Sequence, residues 1–233
     1  MRDREISSRE LVEAHLARIE SINPTLNALV QPTAEAALAQ ATAADGATAA
    51  GTAGGPLHGV PFSVKDWIET AGVVCAAGFE ERAGFVPRRD ATVVRRMRDA
   101  GVILLGKTNV SETNPVYGVT YNPYDTSRSP GASSSGEAAL IAAAAGSPIG
   151  LASDSGGSLR LPAHYCGVAT LKPTTGRVPL TGHFPRISAM LDPRTQIGPV
   201  ARSVKDLSLA LPLITGTDGI DAGAVPVPLQ NPG

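Results

Sequence analysis

The sequence has little cysteine, few aromatic residues and no long apolar run. Its 233 residues include two cysteines and 4% aromatic side chains. Two cysteines are too few for the disulfide framework of a small secreted domain, so Cys75 and Cys166 are predicted to be free thiols in a reducing compartment. The sequence also lacks a stretch of about 18 apolar residues and the apolar core of a signal peptide. These absences predict a cytoplasmic protein with no membrane span.

A strong charge of one sign is absent too. The formal net charge is −1, which gives no broad positive field to attract nucleic acid or an anionic membrane. The arginines of residues 88–98 alternate with apolar residues, a pattern typical of a solvated helix face. With 42% apolar and 18% charged residues, the composition indicates a globular protein whose partner is a small molecule.

The first 55 residues are predicted to form a helical segment. Ser7 and Glu10 have the spacing of a capping box, and the apolar residues after them recur at helical spacing, which predicts a helix over residues 8–21. We expect Pro24 to end this helix. An alanine-rich stretch predicts a second helix over residues 33–44, before a flexible connection rich in glycine, alanine and threonine.

Residues 56–215 are predicted to form the main core. Short apolar runs alternate with helical patterns there, which is typical of an α/β fold. The predicted elements are strands over residues 60–64, 102–105 and 148–152, and helices over residues 90–100, with Asp90 as the cap, 136–146 and 203–213, with Ser203 as the cap.

A turn of small residues follows the last predicted strand. Gly156 and Gly157 break that strand before Ser158, where a helix is expected to begin. Backbone N–H groups converge at such a turn, and glycine lets a carbonyl oxygen approach them closely. The turn is therefore consistent with a serine nucleophile beside an oxyanion hole, although most turns of this composition are only turns.

Two other segments matter for the interpretation of this turn. Ser133 lies in a small-residue loop that opens into the alanine-rich helix, and Lys65 directly follows a five-residue apolar strand. Taken alone, the loop is interpreted as a helix cap and the lysine as a solvated surface charge. At the end of a buried strand, however, loss of hydration can hold a lysine amine neutral and basic.

These motifs, in this order, resemble those of the amidase signature family, and the resemblance covers nearly the whole chain. The stretch 136–141 and the pair Ser153-Asp154 look closer to the fatty acid amide hydrolase branch and its bacterial relatives than to the tRNA-dependent amidotransferase subunit. The motifs that carry the resemblance are Leu57–Asp66, Gly106–Asn109, Ser129–Ser134, Asp154–Pro162, Cys166–Val168 and Leu171–Thr174.

The resemblance implies a Ser–cis-Ser–Lys triad. Ser158 would be the nucleophile, Ser133, in a cis peptide, the proton-relaying serine, and Lys65 the base. The family's oxyanion donors fall on the backbone N–H groups of Ser155, Gly156, Gly157 and Ser158.

The resemblance also implies supporting residues and a fold. Ser134, Asp154 and Arg160 would hold the loops through hydrogen bonds and an ion pair. The implied fold is a mixed β-sheet covered by helices on both faces, with residues 56–215 as the catalytic core. Neither a cofactor nor a metal is expected, because no cluster of His, Asp and Glu has the spacing of metal ligands.

The chain departs from the family pattern near the relay serine. The interval from Ser133 to Ser158 is one residue longer than is usual, because of an extra alanine within residues 142–145. If the chain is aligned from the Ser158 side, Ser134 takes the relay position instead. Ala132 also stands where the family commonly has glycine, as does Ser135.

Length is the larger departure. Family members are roughly twice as long, so we expect this chain to correspond to the N-terminal half of the amidase signature domain. An uncovered parallel sheet would be unstable in water. The chain would therefore need a missing C-terminal half or a second copy, as in a homodimer, to complete its core.

The resemblance implies a hydrolase that cleaves a linear amide through an acyl-enzyme. Aryl or fatty amides are the expected substrates, with esters and carbamates as side substrates. One alternative is an amidotransferase subunit that releases ammonia for tRNA-dependent amidation.

Two other kinds of site are suggested by short patterns. Residues 101–108 match the P-loop spacing G-x-x-x-x-G-K-[ST], but the four intervening residues are Val-Ile-Leu-Leu, which predict a buried strand rather than a phosphate-binding loop. His58, His164 and His183 lie outside any motif that would orient them toward Ser158, so structural or surface roles are expected for them.

Overall fold

The structure, a computed structural model, describes residues 5–111, 113–143, 146–188 and 190–229. The elements are arranged around one six-stranded sheet. In chain order they are α1 (Ser8–Leu26), β1 (Leu29–Pro32), α2 (Ala34–Ala49), β2 (Pro61–Lys65), a 3₁₀ turn (Glu80–Arg82), α3 (Thr92–Asp99), β3 (Ile103–Thr108), α4 (Ser135–Ala142), β4 (Ile149–Asp154), α5 (Arg160–Cys166), β5 (Ala169–Thr170), β6 (Gln196–Ala201) and α6 (Val204–Ile214).

The sheet is mixed, with the strand order β1-β3-β2-β4-β6-β5. Strand β2 is parallel to both of its neighbours, β3 and β4, while the remaining pairs are antiparallel. Because β2 and β4 are adjacent and parallel, their carboxyl ends meet at the same edge of the sheet. Lys65 ends β2 and Asp154 ends β4, so this edge brings two of the motifs together.

Helices cover both faces of this sheet, as expected. Helices α3 and α6 pack on one face, against side chains that include Leu104 of β3 and Leu151 of β4. Helices α1, α2 and α4 pack on the other face, against side chains that include Leu105. Successive residues of β3 thus point to opposite faces, and every residue of β2, β3 and β4 is buried.

The first helix is longer than the sequence predicts. Ser7 and Glu10 form the predicted capping box, but α1 continues through Pro24 to Leu26. Proline removes only its own N–H from the helix ladder, and the last turn closes because Asn27, in the left-handed conformation, donates its N–H to Asn23 O at 2.8 Å. Helix α2 is also longer and ends at Ala49 instead of residue 44.

Two other predicted boundaries are wrong. Asp90 does not cap α3: its Oδ1 accepts the N–H of Ala71 at 2.7 Å and its Oδ2 pairs with Arg98 at 3.1 Å. The helix predicted over residues 136–146 ends earlier, at Ala142, and residues 144–145 lie outside the described part of the chain.

Two local expectations hold. Both cysteines are free and buried, and Ser203 caps α6. No helix in the described ranges is long and apolar enough to cross a membrane. Strands β1, β5 and β6 were not predicted.

Arg96 of α3 connects this helix to the end of α6. Its guanidinium donates to the carbonyls of Ile214, Thr215 and Gly216 at 2.9 Å each, and to that of Thr217 at 2.8 Å. Ile214 is the last residue of α6, so its carbonyl has no intrahelical partner, and the other three carbonyls follow it in the chain; a cation stabilises such a helix end.

We predict that Arg96→Met lowers the free energy of unfolding by about 1.5–3 kcal/mol, the range for hydrogen bonds to a charged group. The midpoint of urea unfolding measures this loss of stability. The matched control is Arg95→Met, which removes an exposed pair with Asp99 and should leave the midpoint nearly unchanged. Equal midpoints for the two variants would contradict this role for Arg96.

Candidate active site

Lys65 is buried at the carboxyl end of β2. Its Nζ lies 2.7 Å from Ser133 Oγ, 3.2 Å from Ser153 Oγ and 3.3 Å from Ser153 O. The ring of Trp67 lies 4.2 Å from the same nitrogen. Burial lowers the pKa of Lys65 to about 7, against the opposing effect of Asp154 and Glu137. The amine is therefore able to take up and release a proton near neutral pH.

Ser133 lies in the loop before α4, and the Ala132–Ser133 peptide bond is cis. The carbonyl of Ser133 accepts the N–H of Ser111 at 2.9 Å. The next residue, Ser134, donates its N–H to Ser158 O at 3.2 Å and its hydroxyl to Ser153 O at 3.2 Å. Ser134 thus ties the loop to β4 and to the turn that carries Ser158, while the Ser133 hydroxyl is the one that contacts Lys65.

The turn between β4 and α5 is organised by the carboxylate of Asp154. It accepts the N–H groups of Gly157 at 2.7 Å, Leu159 at 3.1 Å and Arg160 at 3.3 Å. The Arg160 guanidinium donates to both carboxylate oxygens at 2.9 Å. These donors hold the pKa of Asp154 at about 2, although burial opposes them. Asp154 and Arg160 thus both contact the turn that carries Ser158.

One expected oxyanion donor is engaged elsewhere. The N–H of Gly157 points to Asp154, so it is not free to receive a carbonyl oxygen. In the described part of the chain the N–H groups of Ser155, Gly156 and Ser158 have no acceptor, which leaves them able to bind an oxyanion. Gly157 has φ +116°, a conformation that a side chain rarely adopts, so glycine is required there for the turn itself.

His183 is closer to the site than the sequence indicates. Its Nε2 lies 2.9 Å from Ser153 Oγ, which in turn contacts Lys65, and its ring packs edge to face on Trp67. The other two histidines considered are peripheral: His58 bonds the carbonyl of Ala44, and His164 is exposed. Sequence reasoning did not place Ser153, His183 or Trp67 beside Lys65, and the signal for Ser153 was its place next to Asp154.

The P-loop interpretation does not fit the structure. The Gly-Lys-Thr triplet lies inside β3, and Lys107 is fully buried there. Its Nζ donates to Ile68 O and to Thr70 Oγ1 and lies 3.9 Å from Asp66. Among the described residues, no group of three or more His, Cys, Asp or Glu is placed to hold a metal ion.

The family model described as Amidase matches residues 10–232. The chain belongs to the amidase signature family. A glutamyl-tRNA(Gln) amidotransferase subunit of Synechococcus sp. (strain CC9605) is 45% identical over 235 residues, covering 96% of this chain and 47% of that protein. The chain spans about half the length of the curated relatives it matches.

Solved structures of amidase signature enzymes share the fold. Native peptide amidase from Stenotrophomonas maltophilia superposes with a TM-score of 0.90 at 36% identity, covering 99% of this chain and 49% of that one. A bacterial aryl acylamidase gives a TM-score of 0.89 at 30% identity, covering 98% and 48%. The amidotransferase subunit is thus more similar in sequence than these two amidases. The expected closeness to the fatty acid amide hydrolase branch is not supported.

The ionic state of Asp154 leads to a prediction about stability. Its folded pKa of about 2 lies below the unfolded value of about 3.9. The carboxylate therefore stabilises the fold fully above about pH 4, and this contribution is lost as the pH falls toward 2. We predict that Asp154→Asn is less stable than wild type at pH 7 and that the difference narrows at pH 3.

Thermal unfolding midpoints at the two pH values measure this difference. The control is Asp99→Asn, which removes an exposed carboxylate far from the turn and should follow the wild type at both pH values. A gap for Asp154→Asn as wide at pH 3 as at pH 7 would show that the charge is not what holds the turn.

Proposed function

We infer that the protein cleaves a C–N amide bond through an acyl-enzyme on Ser158, with Lys65 as the base and Ser133 as the proton relay. The observation that carries this proposal is the buried Lys65 amine, 2.7 Å from Ser133 Oγ. The hydrogen bond between Ser134 and Ser158 supports it, because it holds the Ser133 loop against the nucleophile's turn.

The proposed reaction begins with two proton transfers. Neutral Lys65 takes the proton of the Ser133 hydroxyl, Ser133 takes that of Ser158, and Ser158 Oγ bonds to the substrate carbonyl carbon. The N–H groups of Ser155, Gly156 and Ser158 bind the negative oxygen of the tetrahedral intermediate. When the C–N bond breaks, Ser133 passes a proton to the departing amine. Water then attacks the acyl-enzyme by the same route and releases the acid.

This mechanism predicts how a fluorophosphonate probe labels the protein. The probe should attach to Ser158, and Ser158→Ala should abolish labelling. Lys65→Ala should lower the labelling rate at pH 7 by about 100-fold or more, because general bases contribute about 10²–10⁴-fold. The wild-type rate should rise with pH through about 7 as Lys65 loses its proton. Labelling elsewhere, or at an unchanged rate in Lys65→Ala, would refute the mechanism.

The same assay separates the two candidate relay serines. Ser133→Ala should lose about as much as Lys65→Ala, whereas Ser134→Ala should lose less than about tenfold, since its hydroxyl donates to Ser153 O and does not contact Lys65. A greater loss in Ser134→Ala would assign the relay to Ser134.

For the substrate, we propose a linear amide with an aryl or fatty acyl or amine part. Support comes from an aromatic cluster in which Phe79 and Phe184 meet edge to face and Arg82 stacks on Phe184 at 3.9 Å. Phe184 is joined to the site because its N–H donates to the carbonyl of Trp67 at 2.7 Å. Esters and carbamates follow as side substrates, because their carbonyl carbons accept the same attack.

A second candidate is the glutaminase step of a tRNA-dependent amidotransferase. The observation that favours it is the 45% identity to a subunit of glutamyl-tRNA(Gln) amidotransferase. In this case the same serine chemistry would release ammonia from glutamine, and partner subunits would be needed to use it.

Substrate assays distinguish the two candidates. For the amidase, we predict that the purified protein hydrolyses a simple anilide, with activity lost in Ser158→Ala, and that glutamine is not preferred. Hydrolysis confined to glutamine would favour the amidotransferase subunit instead. Comparing initial rates on the two substrates at equal concentration is sufficient, and the inactive Ser158→Ala protein controls for contaminating amidases.

We also propose that more protein covers the site, either a C-terminal half or a second copy of the chain. Helix α5 starts two residues after Ser158 and exposes Leu161 and Tyr165, which are 46% and 48% accessible and four residues apart on one helix face. An apolar face beside a nucleophile is typical of a surface that another element covers.

For the location, we propose the cytoplasm, because its reducing conditions keep thiols free, as both cysteines are here.

A further inference from the structure

His183 has a buried imidazole that the mechanism above does not use. The ring is 1% exposed and its two nitrogens have one neighbour each. Nδ1 lies 3.1 Å from Pro185 O, and Nε2 lies 2.9 Å from Ser153 Oγ. Ser153 is fixed by the fold, since it is in β4 and is paired with Ile197 of β6.

These contacts define the tautomer of the ring. A carbonyl oxygen can only accept a hydrogen bond, so Nδ1 must carry the proton that Pro185 O receives. Burial lowers the pKa of His183 to about 4, which keeps the ring neutral. Nε2 therefore carries a lone pair and accepts the hydroxyl proton of Ser153.

The orientation of Ser153 in turn constrains Lys65. With its proton directed to His183, Ser153 Oγ can only accept from Lys65 Nζ at 3.2 Å, and Ser153 O, at 3.3 Å, is an acceptor in any case. A neutral amine has two N–H groups and one lone pair. Both N–H groups are taken by Ser153, so the lone pair is left for Ser133 Oγ at 2.7 Å.

We propose that His183 is a positioning residue that fixes the Ser153 hydroxyl and thereby directs the lone pair of neutral Lys65 at the Ser133 proton. This inference rests on the roles proposed above for Lys65 and Ser133. Without the acceptor at His183, the Ser153 hydroxyl is free to donate to Lys65 and competes with Ser133 for the same lone pair. Charged neighbours of the amine are Asp154 and Glu137, which remain in place in every variant below.

The test compares two substitutions at His183. In His183→Gln the side-chain carbonyl can still accept from Ser153, while His183→Leu keeps an apolar volume with no acceptor. We predict that the Leu variant lowers the fluorophosphonate labelling rate by about 10- to 100-fold, which is part of the general-base contribution. Its kcat on an anilide should fall by the same factor, with KM nearly unchanged. The Gln variant should stay within several-fold of wild type. Equal loss in both variants would overturn the proposal.

A double-mutant cycle with Ser153→Ala separates positioning from packing. If His183 acts through Ser153, adding His183→Leu to Ser153→Ala should change the rate by less than about twofold. If the two losses multiply, His183 acts on its own and the proposal is wrong. Thermal midpoints identify variants that fail to fold.

The tautomer of His183 can also be measured directly on the wild type, without an activity assay. Nitrogen-15 NMR of the imidazoles, with His183→Gln for assignment, should show a neutral Nδ1–H tautomer from pH 6 to 9. An Nε2–H tautomer or an imidazolium at pH 7 would overturn the proposal. If the wild type is not labelled at Ser158, the proposed function fails. If it is labelled while the Leu and Gln variants match it, only the role of His183 fails.

Discussion

The burial of the Lys65 amine at the carboxyl end of β2 is the constraint around which the rest of the site is arranged. Removing an ammonium ion from water costs several kcal/mol unless an opposite charge compensates it. Among the described residues, no carboxylate lies within ion-pair distance of this nitrogen. The fold therefore favours the neutral amine, and the pKa of about 7 follows from the same burial that completes the sheet.

Two carboxyl groups, Asp154 and Glu137, oppose the lowering of the Lys65 pKa, and both are engaged elsewhere. Asp154 is engaged by three backbone N–H groups and by Arg160, so its charge is used to hold the turn that carries Ser158. Glu137 receives the hydroxyls of Ser63 and Thr108, and burial raises its pKa to about 7, which weakens its negative charge near neutral pH. Either carboxylate, if free and ionised beside Lys65, would hold the ammonium form.

The sequence predicted the parts of the fold whose pattern is local. Strands β2, β3 and β4 are short apolar runs. The capping box of α1 joins Ser7 and Glu10, and the cap of α6 joins Ser203 and Asp206, so each is readable within four residues of sequence. Strand β6 was missed because Gly198 and Pro199 are both rare in strands. It forms because it pairs along its whole length with β4, and a side chain at Gly198 would meet Leu171 O at 2.1 Å. Such a requirement is set by tertiary packing and leaves no local pattern.

The residues of the candidate site divide in the same way, into those that have a local sequence pattern and those that only tertiary packing brings together. Motifs that surround Lys65, Ser133 and Ser158 could be read along the chain, but the contact between Ser153 and His183 joins residues 30 positions apart. The choice between Ser133 and Ser134 also depends on packing. The start of α4 is fixed, because Gly136 donates its N–H to Asn109 O at 3.1 Å and Ser133 O accepts that of Ser111. Both contacts lie before residues 142–145, where the sequence carries its extra alanine, and they hold the Ser133 loop beside Lys65.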